Sequence, residues 1–254
     1  MASPALAARL AAGDYLTCGW SGLADALAAE AIARAGFDAV CLDTQHGFQD
    51  FRAVRDGITA VAGVGAAPVV RVPYGAMPEI GRAVDMGAEG IICPMINSRA
   101  DAEALIRVMK FPPIGERSWA PHRVAMLWGM ERDEFLARAN ELVVSFAMIE
   151  TREALDNLDE ILSVPGIDGV FVGPNDLSIS LLKGERVDHV ADEVRPALET
   201  IASRAREHGK HAGIYVNTPD LAAPYREMGY RLIASGSDLN FIRNSAAVLA
   251  KALS

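Results

Sequence analysis

The sequence predicts an α/β fold, a (β/α)8 barrel in which eight parallel strands alternate with helices, and three observations lead there. At 254 residues the chain has about the length of one such barrel, so a single domain spanning 1–254 is expected. Short apolar runs rich in β-branched residues recur about eight times, separated by segments with helical spacing. Four of those runs are entered through a glycine, in "AGFDAVCLD", "MGAEGIICPM", "PGIDGVFVGPNDL" and "MGYRLIASGSD", and each ends in Pro, Gly or a carboxylate.

Taken in order, "YLTCGW" reads as the first strand and "ADALAAEAIARA" as an amphipathic helix. Gly36 suits the left-handed end of that helix and feeds the second strand, which finishes in "CLDTQHG". "PVVRVP" is the third strand, "MPEIGRAVD" a helix closed by Gly87, and "GIICPM" the fourth strand. The long stretch "FPPIGERSWAPHRVAMLWGMERDEF" breaks the alternation and is expected to be irregular, a lid or binding loop. "LVVSFAMIE" is the fifth strand, "REALDNLDEILS" a helix, and Gly166, after Pro165, leads into the sixth strand. "HAGIYVNTP" is the seventh, and Gly229 closes the helix before the eighth. A doubly wound open sheet is the alternative, but no G-x-G-x-x-G follows the first strand.

The formal net charge of -9 argues against a nucleic-acid binder, so any anionic ligand must be met by a few local arginines. Cys18, Cys41 and Cys93 sit inside apolar runs without C-x-x-C spacing, as buried free thiols of a reducing compartment do. No signal peptide or spanning helix is legible, so a cytoplasmic protein with no membrane partner is expected.

In such a barrel the chemistry sits where the strands end. Strand two ends in Asp43 and His46, strand three in Arg71, strand five in Glu150, strand six in Asp176, strand seven in Asn217 and strand eight in "SGSD". Glu150 and Asp176, from neighbouring strands, can share a hard divalent cation such as Mg²⁺ or Mn²⁺; taken singly, each could equally cap a helix. His122, His189, His208 and His211 lack zinc-site spacing and read as structural or solvated. Ser235 and Ser237 lie where many barrels hold phosphate but are ordinary loop residues too. No G-x-S-x-G supports serine hydrolysis. Of the lysines, Lys110, Lys183, Lys210 and Lys251, none ends a predicted strand, so a Schiff base is not expected and a Lewis-acid metal takes its place.

"GFDAVCLDTQHG", "PVVRVP", "MGAEGIICPM", "PPIGERS", "IETREALDNLDEIL" and "GIDGVFVGPNDLS" together resemble the metal-dependent (class II) pyruvate aldolases of the 4-hydroxy-2-oxoheptanedioate / 2-keto-3-deoxy-rhamnonate aldolase family, the hydroxy ketoacid aldolases. The resemblance runs in order along nearly the whole chain. It implies a barrel of the phosphoenolpyruvate/pyruvate type whose last helix, here "FIRNSAAVLAKAL", is exchanged between neighbours in a homohexamer. It implies Glu150 and Asp176 as metal ligands, for Mg²⁺ or Mn²⁺ first and Co²⁺, Zn²⁺ or Ni²⁺ as substitutes. Arg71 would contact the keto oxygen of pyruvate, and the backbone of Gly173, Pro174 and Asn175 its carboxylate, with Trp20 also counted in the substrate site. His46 would be the acid/base, Asp85 its partner in a dyad, and Asp43 would lie near the aldehyde. Many relatives carry D-x-E-H where this chain has Asp43, Thr44, Gln45 and His46, and one branch shares the Gln. The expected reaction is enolisation of pyruvate or hydroxypyruvate and addition to an aldehyde, giving a 4-hydroxy-2-oxo acid. A citrate-lyase-like enzyme acting on CoA thioesters and a non-catalytic 2-oxo-acid-binding barrel are the rivals.

Overall fold

The computed structural model describes residues 4–254. Eight parallel strands, β1 (Leu16–Ser21), β2 (Ala39–Asp43), β3 (Ala67–Arg71), β4 (Gly90–Cys93), β5 (Val144–Ile149), β6 (Gly169–Val172), β7 (His211–Val216) and β8 (Leu232–Ser235), pair in sequence order and close on themselves. The helices are α1 (Leu6–Ala11), α2 (Ala26–Arg34), α3 (Phe51–Gly63), α4 (Met77–Met86), α5 (Arg99–Met109), α6 (His122–Trp128), α7 (Arg132–Leu142), α8 (Arg152–Asp156), α9 (Leu158–Leu162), α10 (Pro174–Leu181), α11 (Arg195–Glu207), α12 (Ala222–Met228) and α13 (Asp238–Leu253).

Each strand is buried on both faces, which is why it reads as a continuous apolar run rather than an alternating one. Alternate residues, among them Cys18, Trp20, Cys41, Val69, Ile92, Phe146, Met148 and Phe171, fill the barrel interior. Their neighbours Val40, Leu42, Val70, Ile91, Ile149, Val172 and Ile214 pack outward on the helices. Leu6 and Leu10 of α1 belong to the interior cluster and close its floor, where the buried Glu89 carboxylate accepts the backbone N–H groups of Ala5 and Leu6 at 2.8 and 2.9 Å. The predicted helix ends hold: Gly87 closes α4 at φ +108°, Gly229 closes α12 at φ +115°, and Gly36 follows α2 at φ +106°, all in the left-handed region.

Two expectations need correction. The stretch 111–135 is not irregular throughout, because Val124, Trp128 and Phe135 bury themselves on α6 and α7. Nor is it a lid over its own barrel's mouth: it joins α5 to β5, at the end where strands begin, with α6 against α4 and α7 against α1. The predicted helix in "REALDNLDEILS" is two short ones, α8 and α9, broken at Asn157, whose side-chain amide donates to Asn97 O at 2.8 Å.

Lys110, absent from the mouth as expected, is 1% exposed at the strand-start end. Its Nζ donates to Asn140 O and Val143 O, both at 2.6 Å, and to Asp168 at 2.8 Å, ahead of β5 and β6. The last helix, α13, is amphipathic, yet among its residues only Asp238 is buried. Leu239, Phe241, Ile242, Val248, Leu249 and Leu253 are exposed, so this helix has no apolar seat on its own barrel. No helix of the described residues is long and apolar enough to cross a membrane.

Candidate active site

The β2–β3 register sets Asp43 directly beside Arg71 at the strand ends. Arg71 donates from Nε to Asp43 Oδ1 at 2.9 Å and from Nη2 to Oδ2 at 2.7 Å, a two-pronged, charge-assisted pair that fixes the guanidinium plane. Trp20 Nε1 donates to the same carboxylate at 3.2 Å, and the Gln45 and His46 backbone N–H groups do so at 3.0 and 3.3 Å. Burial would raise the Asp43 carboxyl, but the Arg71 hydrogen bonds and charge, with those from Trp20 and Gln45, hold it below its ordinary value. Asp43 is therefore spent on neighbours. Its two oxygens hold the Arg71 guanidinium and the turn that carries His46.

On the next strands Glu150 is 3% exposed. Its Oε2 accepts the Met95 backbone N–H at 2.9 Å, and its Oε1 lies against Gly173, only 2.5 Å from where a β-carbon on that glycine would stand. Any side chain at 173 would displace the carboxylate. Burial pushes the Glu150 carboxyl up to about 7; the Asp176 charge adds to this, while the Met95 N–H and Arg71 oppose it. Neither carboxylate caps a helix through its side chain. Thr151 caps α8, accepting from Ala154 N at 3.0 Å, and α10 begins at Gly173 with no side-chain cap, leaving Asp176 in its first turn. The helix-capping alternative thus falls away.

Trp20, His46, Arg71, Met148, Phe171, Gly173, Pro174, Asn175, Asp176 and Tyr215 line one cavity of about 240 Å³ at the mouth. Pro174 has no N–H to give, so the free backbone donors at the start of α10 are those of Asn175 and Asp176, an arrangement suited to an anion. The Arg71 guanidinium lies 5.0 Å from the Trp20 ring, and Trp20 meets Tyr215 edge-on at 5.4 Å.

Of the expected site residues, Asp85 alone is elsewhere. It lies on the last turn of α4, about 12 Å along that helix from its start after β3, and pairs with the buried Arg117 at 2.5 Å. A His46–Asp85 dyad is not made within the chain, because α4 carries Asp85 away from the mouth. The aromatic Tyr215 and the apolar Met148 and Phe171 went unremarked as site residues, although "GIYV" already puts Tyr215 at alternate spacing from the interior Gly213. His189, read as structural or solvated, comes within 3.0 Å of Asn217 Nδ2, which itself donates to Asn175 Oδ1 at 3.0 Å. Nothing local marks that contact across 28 residues of chain. The other readings hold: His208 meets Asp159 on the surface, His211 opens β7 at the far end, and Ser237 caps α13. Asp238 accepts from Ser21 Oγ at 3.0 Å and Leu23 N at 2.9 Å, tying the eighth strand end to the first.

The family model for HpcH/HpaI aldolase/citrate lyase matches residues 17–245. The chain is 41% identical over 228 residues to the hydroxypyruvate/pyruvate aldolase of Rhizorhabdus wittichii, covering 90% of each. It is 34% identical to the 4-hydroxy-2-oxo-heptane-1,7-dioate aldolase of Klebsiella pneumoniae, over 91% of this chain and 86% of that one. Among solved structures, an HpcH/HpaI aldolase/citrate lyase family protein from Burkholderia cenocepacia superposes with a TM-score of 0.88 at 33% identity, over 99% of this chain and 100% of the other.

Proposed function

Because the chain belongs to the HpcH/HpaI aldolase/citrate lyase family and is an aldolase, a carbon–carbon lyase, we propose that it enolises pyruvate or hydroxypyruvate and adds it reversibly to an aldehyde. The observation that carries this reading is one cavity bringing together an oriented guanidinium, a helix start with free N–H groups and the Asp176 carboxylate, with the Glu150 carboxylate set against Gly173 of the same lining. A 2-oxo acid offers a carboxylate for the start of α10 and a keto oxygen for Arg71.

The residues fit a hard divalent cation. Glu150 and Asp176 are oxygen donors, one carboxylate is cradled against Gly173, and their mutual repulsion is what a cation between them would relieve. With two carboxylates to hold it, such an ion would keep places for water and substrate, as Mg²⁺ and Mn²⁺ prefer. Co²⁺, Zn²⁺ or Ni²⁺ could substitute. When bound, the ion supplies Lewis-acid polarisation of the 2-oxo acid.

The protein's own groups do the rest. Arg71, held in plane by Asp43, donates to the keto oxygen as negative charge gathers there on loss of a C3 proton, and it pays no reorganisation cost at that moment. His46, set at the cavity edge by the turn around Asp43, moves the proton at the aldehyde-derived hydroxyl, and it does so without a carboxylate from its own chain. Trp20, Phe171 and Tyr215 wall off water.

The bare apolar face of α13 completes the reading. A neighbouring chain that covers it gives the exchanged helix and the homohexamer the resemblance implies. The acidic charge and three unpaired, buried thiols suit the reducing cytoplasm. The test is methyl deuteration of pyruvate in D₂O, followed by NMR with Mg²⁺ or Mn²⁺ and then with chelator. Metal-dependent exchange, abolished in Glu150→Ala, supports the reading. No exchange with any divalent metal, even with glyoxylate present, sinks it in favour of CoA-thioester cleavage or ligand binding without turnover.

A further inference from the structure

One polar group of the mouth cavity has no task in the mechanism above: the Asn175 side chain. Its backbone stands at the start of α10, and the residue lines the same cavity as His46, Arg71 and Tyr215. The amide oxygen is engaged at the rim. Asn217, just beyond β7, donates from Nδ2 to Asn175 Oδ1 at 3.0 Å, and the same nitrogen lies 3.0 Å from Nδ1 and 3.2 Å from Nε2 of His189. Asn217 thus turns its NH₂ toward both neighbours, and which His189 ring nitrogen meets it depends on the tautomer. In this arrangement the Asn175 oxygen is taken, and its Nδ2, which makes no hydrogen bond among the described residues, is the end left for a ligand.

We infer that the Asn175 amide, held by Asn217 and His189, is a hydroxyl-recognition arm that selects aldehydes bearing a hydroxyl group next to the carbonyl. An amide N–H is a neutral donor and suits a neutral oxygen, whereas the cavity's charged groups, Arg71 and Asp176, are matched to the 2-oxo acid and the cation. Apart from His46, Arg71 and Asp176, the rest of the lining is aromatic or apolar, from Trp20, Met148, Phe171 and Tyr215, and the Tyr215 hydroxyl is turned to Gly236 O at 3.3 Å. An acceptor lacking the hydroxyl leaves that donor unanswered, which is how a polar pocket discriminates. The arm spans three elements, α10, the end of β7 and the 183–194 connection, so Asn217 and His189 are positioning residues that act through Asn175.

The inference rests on the aldolase reading, and its test separates the two. Pyruvate proton exchange in D₂O is measured first, then kcat and KM for glycolaldehyde and for acetaldehyde, in the wild type, Asn217→Ala and Asn217→Asp. Aspartate keeps the shape but has no proton for Asn175 Oδ1, so it turns the amide about and withdraws Nδ2 from the cavity. The expected result is unchanged exchange and acetaldehyde turnover in both variants, with KM for glycolaldehyde raised and the glycolaldehyde preference reduced roughly five- to tenfold, the worth of one neutral hydrogen bond. A variant that only loosens the fold would lower both aldehydes together. An unchanged preference in both variants, or a wild type with no preference, overturns the inference while leaving the aldolase intact. A wild type that exchanges no pyruvate protons removes the functional reading and this one with it.

Discussion

Replacing Asp43 by Asn tests the mouth more sharply than removing any group that would touch substrate. The change is isosteric but converts one carboxylate oxygen into an NH₂, at a spot where every neighbour is a donor: Arg71 Nε and Nη2, Trp20 Nε1 and the backbone N–H groups of Gln45 and His46. Whichever way the amide turns, an N–H faces an N–H. The Arg71 side chain is 13% exposed and that of Asp43 5%, so the guanidinium cannot recover its lost partner fully from water. Breaking an enclosed pair from one side costs about 3–5 kcal/mol, and the lower end applies here because the mouth is open. For a chain of this size about 3 kcal/mol lowers Tm by roughly 6–12 °C. The catalytic loss is separable from that: a misdirected Arg71 should slow pyruvate exchange at saturating pyruvate by about 10²–10³-fold, the usual cost of one displaced oxyanion donor. Exchange is measured well below the variant's Tm, with circular dichroism confirming that it is folded. A folded Asp43→Asn protein exchanging within twofold of wild type would refute the claim that Asp43 works by aiming Arg71.

Three further outcomes follow from the same geometry. Glu150, raised from 4.5 to about 7, stays protonated in the metal-free fold while the unfolded chain ionises, so stability falls as pH rises from about 4.5 to 7 and then levels, by about 3 kcal/mol in all; urea unfolding in chelator should show this slope in wild type and lose it in Glu150→Gln, and equal slopes would contradict it. His46→Ala should slow proton transfer by roughly 10²–10⁴-fold without weakening pyruvate binding; an unchanged aldol rate removes His46 from the chemistry. Charging the bare face of α13, as in Val248→Glu with Leu249→Glu, should shift sedimentation from that of the proposed homohexamer to a smaller species, and a wild type and variant that sediment alike would show that α13 holds no assembly together.

The architecture was legible because a glycine, an apolar run and a polar stop recur along the chain, and each of those has a local cause. Glu150, Asp176, Arg71 and His46 could be placed at one mouth for the same reason: in a parallel barrel every strand ends on the same side. What a strand-end residue turns toward is a different matter. Asp43 was placed near the aldehyde, and only the β2–β3 register shows that Arg71 takes both its oxygens. Asp85 was assigned to His46 through resemblance, and the direction of α4 carries it to Arg117 instead. The helices within 111–135 were missed because glycine and proline at the start of that stretch mask the later spacing of Val124, Trp128 and Phe135.

The floor laid by Leu6 and Leu10 makes the barrel a cup with one opening. Nothing leaves through the bottom, because the side chains above that floor fill the interior. Both partners of the proposed aldol reaction therefore enter and leave by the one mouth that Arg71, His46 and the start of α10 surround.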